Sequence, residues 1–234
     1  MKALILTGGF GTRLKEVIHD RPKVMAGIAN KPFLEFVLEN LAKNRIGDVV
    51  VSIGYLGSYI KNYFEDGAKF GIKISYSEES RPLGTGGAVK LAEKFFAGPF
   101  LVINGDTLVK TNFLKLLDFH LKKKAVVTIG LVKKKLVSEL GVVKLNSSGK
   151  ITVFLEKPKN GENGLVNCGV YVFNPGVTRI VKNKKRFSLE KDLFPKLAAK
   201  GRLYGYRVDQ DFIDIGTPAG YYKALKMLAE RNRK

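Results

Sequence analysis

The chain is poor in the residues that covalent and metal chemistry most often uses: among its 234 residues are one cysteine, two histidines and no tryptophan. A single thiol, Cys168, excludes an intrachain disulfide and fits a reducing, cytoplasmic setting. His19 and His120 stand alone, without acids or thiols at ligand spacing, and no Ser-His-Asp or Cys-His set is present to supply a nucleophile. No apolar run approaches the roughly 18 residues of a membrane span. Met1-Lys2 leads straight into a strand-like run rather than a secretion signal, so a soluble protein without a membrane partner is expected. Acid is scarce as well. With 41 Lys+Arg against 21 Asp+Glu the formal charge is +20, which attracts polyanions and keeps nucleic acid open as a partner. The basic clusters Lys122-Lys123-Lys124, Lys133-Lys134-Lys135 and 182–186 fall at predicted element ends, without the periodic aromatics of a base-stacking platform. A solvated surface that helps steer small anions is the expectation.

What the sequence does have is glycine at strand ends. Leu4-Ile-Leu-Thr-Gly-Gly-Phe-Gly-Thr-Arg-Leu14 is an apolar run of strand length that breaks into Gly8, Gly9 and Gly11, followed by Thr12, Arg13 and then Arg21-Pro22-Lys23. Successive backbone N–H groups in such a loop form an anion-binding concavity, with Arg13 and Lys23 as full charges beside it. It is neither a Walker loop, which ends in Gly-Lys-Ser/Thr, nor a dinucleotide fingerprint, which needs glycine where Leu14 stands. The glycines alone are equally compatible with a tight turn.

Strand and helix signals then alternate. Apolar residues at 33, 34, 37, 38 and 41 predict a helix with Pro32 in its first turn, Val49 to Ile53 a buried strand, Tyr59 to Phe64 a helix and Ile72 to Tyr76 a strand. A glycine-rich stretch, Leu83-Gly-Thr-Gly-Gly-Ala88, opens a helix reaching Phe96, and Pro99 to Asp106 is a fourth strand ending in Asn104-Gly105-Asp106. This is the pattern of an α/β, doubly wound, mostly parallel sheet that binds ligands at the carboxyl ends of its strands. Past a helix at 111–122 the pattern turns strand-rich, with runs at 125–132, 141–145, 151–155 and 166–173, and a hairpin turn at Asn146-Ser-Ser-Gly149. No linker divides the chain, so one domain is expected, with a doubly wound half over 1–123 and a strand-rich half plus C-terminal helix over 124–234. At this length it can bury about 70% of its unfolded surface.

The combination G-G-x-G-T-R-L with a Pro-Lys soon after resembles the signature of the sugar-phosphate nucleotidyltransferases, and most closely the heptose 1-phosphate guanylyltransferase branch. That branch shares the departure at Lys15-Glu16, where the family usually has proline. The resemblance runs from residue 3 to about residue 225. It implies a Rossmann-like fold with a mixed central sheet. It places Leu6, Gly8, Gly9, Gly11, Thr12, Gly84 and Thr85 on the nucleotide, and Arg13 and Lys23 on the reacting phosphates as the catalytic cations. Glu79, with Glu78 as the alternative, is expected to read the nucleobase, because a carboxylate accepts the two adjacent donors that guanine offers and uracil does not. Asn104, Glu156, Lys157, Asn167 and Gly169 would hold the sugar phosphate, and Asp106 and Asp214 a Mg²⁺ ion. In Asp214-Ile-Gly-Thr-Pro218 the family's frequent tryptophan is replaced by nearby Phe212.

The activity so implied transfers a nucleoside monophosphate, GMP from GTP, to a sugar 1-phosphate, with D-glycero-D-manno-heptose 1-phosphate as the acceptor. Mannose 1-phosphate guanylyltransfer, or thymidylyl- or uridylyltransfer, are the alternatives within the family. A regulatory homologue without catalysis and a basic nucleic-acid-binding protein are the alternatives outside it. A homo-oligomer is compatible with the sequence.

Overall fold

The computed structural model describes residues 1–9, 14, 17–18, 20–137, 141–156, 162–182, 184–209 and 212–229. In chain order its elements are β1 (Ala3–Leu6), a small hairpin of β2 (Gly27–Ile28) and β3 (Lys31–Pro32), α1 (Phe33–Lys43), β4 (Asp48–Ile53) and α2 (Gly57–Phe64). There follow β5 (Lys73–Glu78), α3 (Gly84–Ala92), β6 (Phe100–Asn104), β7 (Thr107–Val109) and α4 (Phe113–Lys122). The strand-rich part contains β8 (Val127–Val137), β9 (Val142–Leu145), β10 (Ile151–Leu155) and β11 (Glu162–Phe173), and the chain closes with α5 (Phe194–Ala199), β12 (Leu203–Arg207), β13 (Phe212–Asp214) and α6 (Pro218–Ala229).

β5, β4, β1 and β6 lie side by side and parallel, and β11 continues the sheet antiparallel to β6. β11 then pairs with both β9 and β8, and β12 joins β8 in parallel. The sheet is therefore mixed and mostly parallel at its centre, as expected. Strand alternation decides what each face buries. Ala3 and Ile5 belong to one apolar cluster and Leu4 to the other; Val49, Val51 and Ile53 oppose Val50, and Leu101 and Ile103 oppose Phe100 and Val102. Both faces are covered, the first by α1, α4 and α6 and the second by α3 and α5, which is why these strands read as continuous apolar runs.

The expected α1 is present, with Phe33, Leu34, Val37, Leu38 and Leu41 all buried and Pro32 as its N-cap. Three local features differ from the sequence pattern. The helix expected to reach Phe96 ends at Ala92 and tightens into a 3-10 turn over Glu93–Phe95. β8 runs on to Val137, so Lys133 and Lys134 lie within a strand rather than at its end, and the Lys134 ammonium stands 5.2 Å from the Phe212 ring centroid. The Ser188-Leu-Glu190 pattern is that of a capped helix start, and the Ser188 hydroxyl does accept from the Glu190 and Lys191 N–H groups, but the first turn is a π turn over Leu189–Leu193. Among the described residues no helix is long and apolar enough to cross a membrane. His120 is a core residue, its ring nitrogens 2.9 Å from Thr128 Oγ1 and 3.1 Å from Asn174 Oδ1, and burial pushes its pKa down.

Candidate functional site

From β1 the chain moves outward through β4 to β5, then returns through α3 to place β6 on the opposite side of β1. The order of strands thus reverses between β1 and β6, and the crevice at their carboxyl ends is where a doubly wound sheet takes its ligand. A cavity of about 270 Å³ lies there, lined by Leu6, Gly8, Gly9, Lys23, Glu79, Gly84, Thr85, Asn104 and Asp106. All nine are residues singled out from the sequence. Pro82, Ala88 and Arg186 complete the lining, and none of them was assigned to the site from the sequence. Two larger hollows, of about 570 and 540 Å³, hold none of the expected residues. Gly11, Thr12, Arg13 and Lys157 lie outside the described residues.

At one end of the cavity the Lys23 ammonium donates to Asp106 Oδ2. Lys23 opens a 3-10 turn behind buried Pro22, and its stem passes Gly9, where an added Cβ would lie 3.7 Å from Lys23 Cε and Nζ. Asp106 follows Gly105, whose N–H donates to the Leu6 carbonyl at 2.9 Å; a Cβ at 105 would come within 3.0 Å of that same oxygen. Glycine there lets the β6 tip fold against the β1 tip. Both side chains are largely shielded, Lys23 at 20% and Asp106 at 14% exposure.

At the other end stands Glu79, buried just after β5. Its Oε2 accepts the Leu83 N–H at 2.9 Å and its Oε1 the Ser52 hydroxyl at 3.2 Å. Burial raises its pKa above the ordinary carboxylate range, against the lowering effect of those two donors. A Cβ on Gly8 would meet Glu79 Oε1 at 2.8 Å, so the first glycine of the loop leaves room for this carboxylate. Glu78, the alternative, points elsewhere: its side chain is 62% exposed and pairs with Lys61.

Asp214 does not line the cavity but reaches its rim through β13. That strand pairs antiparallel with β7, Asp214 opposite Thr107, and the Ile215 N–H donates to the Asp106 carbonyl at 2.9 Å. The two aspartates are thus neighbours across a short ladder, although 108 positions separate them (214 − 106). Asn104 Oδ1 is buried without a hydrogen-bond partner among the described residues. Two carboxylates and an orphaned amide oxygen are hard donors that fit a divalent cation such as Mg²⁺, and the Lys23 ammonium already places positive charge against one of them.

The remaining expected residues form a second group beside the first. Gly169, at φ +72, occupies an irregularity in β11, where a Cβ would lie 3.0 Å from Asn104 Nδ2 and 3.1 Å from Thr107 Oγ1. Asn167 braces that bend, its Oδ1 accepting the Gly169 N–H at 3.0 Å and its Nδ2 donating to the hydroxyl of fully buried Tyr171 at 2.9 Å. Glu156 lies near by: its Oε2 would be 3.0 Å from a Cβ on Gly141, whose carbonyl accepts the Asn167 N–H. Thr85 has both hydroxyl roles engaged, donating to Glu190 Oε2 and accepting from the Leu189 N–H, each at 2.9 Å. The glycines around it serve close packing: a Cβ on Gly86 would fall 2.2 Å from the Phe187 ring, and one on Gly87 2.6 Å from the Lys185 carbonyl oxygen.

Comparison with known proteins places the chain in a family. The family model described as nucleotidyl transferase matches residues 2–231. A D-glycero-alpha-D-manno-heptose 1-phosphate guanylyltransferase from Aneurinibacillus thermoaerophilus is 40% identical, over 97% of this chain and 98% of its own. A UTP–glucose-1-phosphate uridylyltransferase from Synechocystis is 35% identical over the whole of this chain, which spans 65% of that longer relative. Among solved structures, HddC from Yersinia pseudotuberculosis in complex with GMP-PN superposes with a TM-score of 0.85 at 33% identity, covering 97% of this chain and 99% of HddC.

Proposed function

The chain belongs to the nucleotidyl transferase family, and from that premise we propose that it transfers GMP from GTP to a sugar 1-phosphate, with D-glycero-D-manno-heptose 1-phosphate as acceptor, releasing pyrophosphate. The observation that carries this reading is the convergence, at the tips of β1 and β6, of a shielded lysine and an aspartate in one cavity with the buried carboxylate of Glu79. Residues 1–123 serve the nucleotide and 124–234 the sugar in this account.

The division of labour follows from charge. In this reading Leu6, Gly8, Gly9, Gly11, Thr12, Gly84 and Thr85 are assigned to the nucleotide, Glu79 accepts from guanine N1–H and the 2-amino group, and Arg13 meets the triphosphate. Asn104, Glu156, Lys157, Asn167 and Gly169 make up the sugar-phosphate side, where Lys157 acts as a point charge on the incoming phosphate. Asp106 and Asp214 would hold Mg²⁺, which when bound neutralises charge on the phosphate oxygens. No general base is required. A phosphate monoester with a second pKa near 6 is largely a dianion at neutral pH. Its oxygen forms the new bond to the α-phosphorus in line, the bond from that phosphorus to the β-phosphate oxygen breaks, and pyrophosphate leaves with the electron pair. The work of the chain is to hold two repelling anions in line, with Lys23 at the α-phosphate between them.

Pyrophosphate release, measured with Mg²⁺ over four nucleoside triphosphates and a set of sugar 1-phosphates, tests the reading. GTP with the heptose 1-phosphate is expected to give the highest kcat/KM. Preference for UTP, the nucleotide in the name of the Synechocystis relative, would replace the guanylyl assignment, and no release with any pair would remove the activity.

Glu79 adds a pH dependence. Only the ionised carboxylate accepts two donors, and burial raises its pKa, so the fraction able to bind guanine falls as pH drops through that raised value. The KM for GTP should therefore climb on acidification from neutral pH, starting above the range of an ordinary carboxylate. Glu79→Gln should have a high KM for GTP without that climb. Substrate phosphates titrate identically for both proteins, so the ratio of the two profiles isolates Glu79, and a flat ratio would remove it from base recognition.

A further inference from the structure

One cation in the cavity is used by none of the motifs or by the reaction above. Arg186 lines it with Glu79, Pro82, Gly84 and Thr85, although it comes from the segment that leads into α5. The backbone of the next residue, Phe187, is tied to Glu79 through a single intermediary. Leu83 gives its N–H to Glu79 Oε2 at 2.9 Å, and its carbonyl accepts the Phe187 N–H at 3.0 Å. The Phe187 carbonyl in turn accepts the Gly86 N–H at 3.0 Å, and a Cβ on Gly84 would stand 2.6 Å from that same oxygen. Residue 186 is thereby fixed beside the opening of α3. Its side chain is exposed, and it has no ion-pair or hydrogen-bond partner among the described residues.

A carboxylate and a guanidinium on one cavity select a base by edge chemistry. Guanine carries its donor pair, N1–H and the 2-amino group, next to its acceptor pair, O6 and N7; the fork of an arginine matches the second pair. We propose that Arg186 is a specificity-determining residue that donates to guanine O6 and N7 while Glu79 accepts from N1–H and the 2-amino group. The assignment rests on the guanylyl reading above and deepens it. Adenine would turn its 6-amino donor toward Arg186 and a lone pair toward Glu79, so both residues reject it. Uracil and thymine have no N7 and offer one N–H.

The test compares kcat/KM for GTP, 7-deaza-GTP and ATP in the wild type, Arg186→Ala and Arg186→Lys. The wild type should favour GTP over 7-deaza-GTP by about tenfold, as one bond of a bidentate pair is lost. Arg186→Ala should lose about ten- to a hundredfold toward GTP, mostly in KM, and should no longer distinguish GTP from 7-deaza-GTP. Arg186→Lys, with a point charge in place of a fork, should recover part of the GTP loss but little of the N7 discrimination. If Arg186→Ala slows GTP and 7-deaza-GTP by the same factor and the wild-type preference survives, the residue acts on phosphate or on structure and the proposal is overturned. It is overturned as well if the wild type does not distinguish the two. A wild type that prefers UTP or dTTP to GTP would overturn the guanylyl reading itself, an outcome distinct from either of these.

Discussion

Asp106→Asn is expected to lower Mg²⁺-dependent turnover by about three orders of magnitude, the upper range for a lost charge contact in a transition state. The expectation comes from where the carboxylate stands. It projects from the β6 tip, in a turn that Gly105 fixes against the Leu6 carbonyl, and is the residue through which the β13 ladder brings Asp214 to the cavity. Asparagine keeps the shape and an oxygen near Thr107 Oγ1 but removes the charge that competes for a divalent cation. The Lys23 ammonium then loses its ion pair, yet both groups keep some contact with water, so the thermal midpoint should shift little. Pyrophosphate release measured against Mg²⁺ concentration reads the outcome. A variant with wild-type turnover and wild-type Mg²⁺ dependence would remove Asp106 from the metal site.

Lys23→Ala is expected to cost about two orders of magnitude or more in kcat. In the free protein the ammonium is held by Asp106. A divalent cation arriving with the triphosphate would compete for that carboxylate and release Lys23 toward the phosphates. A contact that strengthens as charge builds on the α-phosphate is lost from kcat more than from the KM for GTP. Lys23→Arg should recover little, because a planar fork passing Gly9 does not replace a compact point charge on a flexible stem. Steady-state and single-turnover rates on both variants decide this, and unchanged turnover in Lys23→Ala would take the residue out of the mechanism.

Much of this architecture was legible in the chain because it depends on local pattern. Continuous apolar runs at 3–6, 49–53 and 100–104 report strands buried on both faces, and glycines directly after a strand report a backbone that must approach something. The order of strands and the family resemblance together single out Lys23, Glu79 and Asp106 as candidates without coordinates. What the sequence withheld is non-local. β7 and β13 are three residues each, too short for periodicity to reveal, and only their pairing shows why Asp214 belongs beside Asp106. The glycines at 84, 86 and 87 announce close packing, but their partner is Phe187 and its neighbours, a hundred positions away. Arg186 follows a run of lysines and reads as solvated surface until Leu83 is seen to bind Phe187 and Glu79 at once. Lys133 and Lys134 mislead in the opposite sense, since a basic run looks like a strand end yet continues within β8.

The account depends on two aspartates, from strands distant in sequence, serving a single ion on a single triphosphate. Mn²⁺ binding followed by electron paramagnetic resonance, with a non-hydrolysable GTP analogue present, tests that most directly. The account expects one tightly bound Mn²⁺ per chain, weakened at least about tenfold by Asp106→Asn and by Asp214→Asn alike, as removing one of two carboxylate ligands does. Wild-type Mn²⁺ affinity in Asp214→Asn would contradict it.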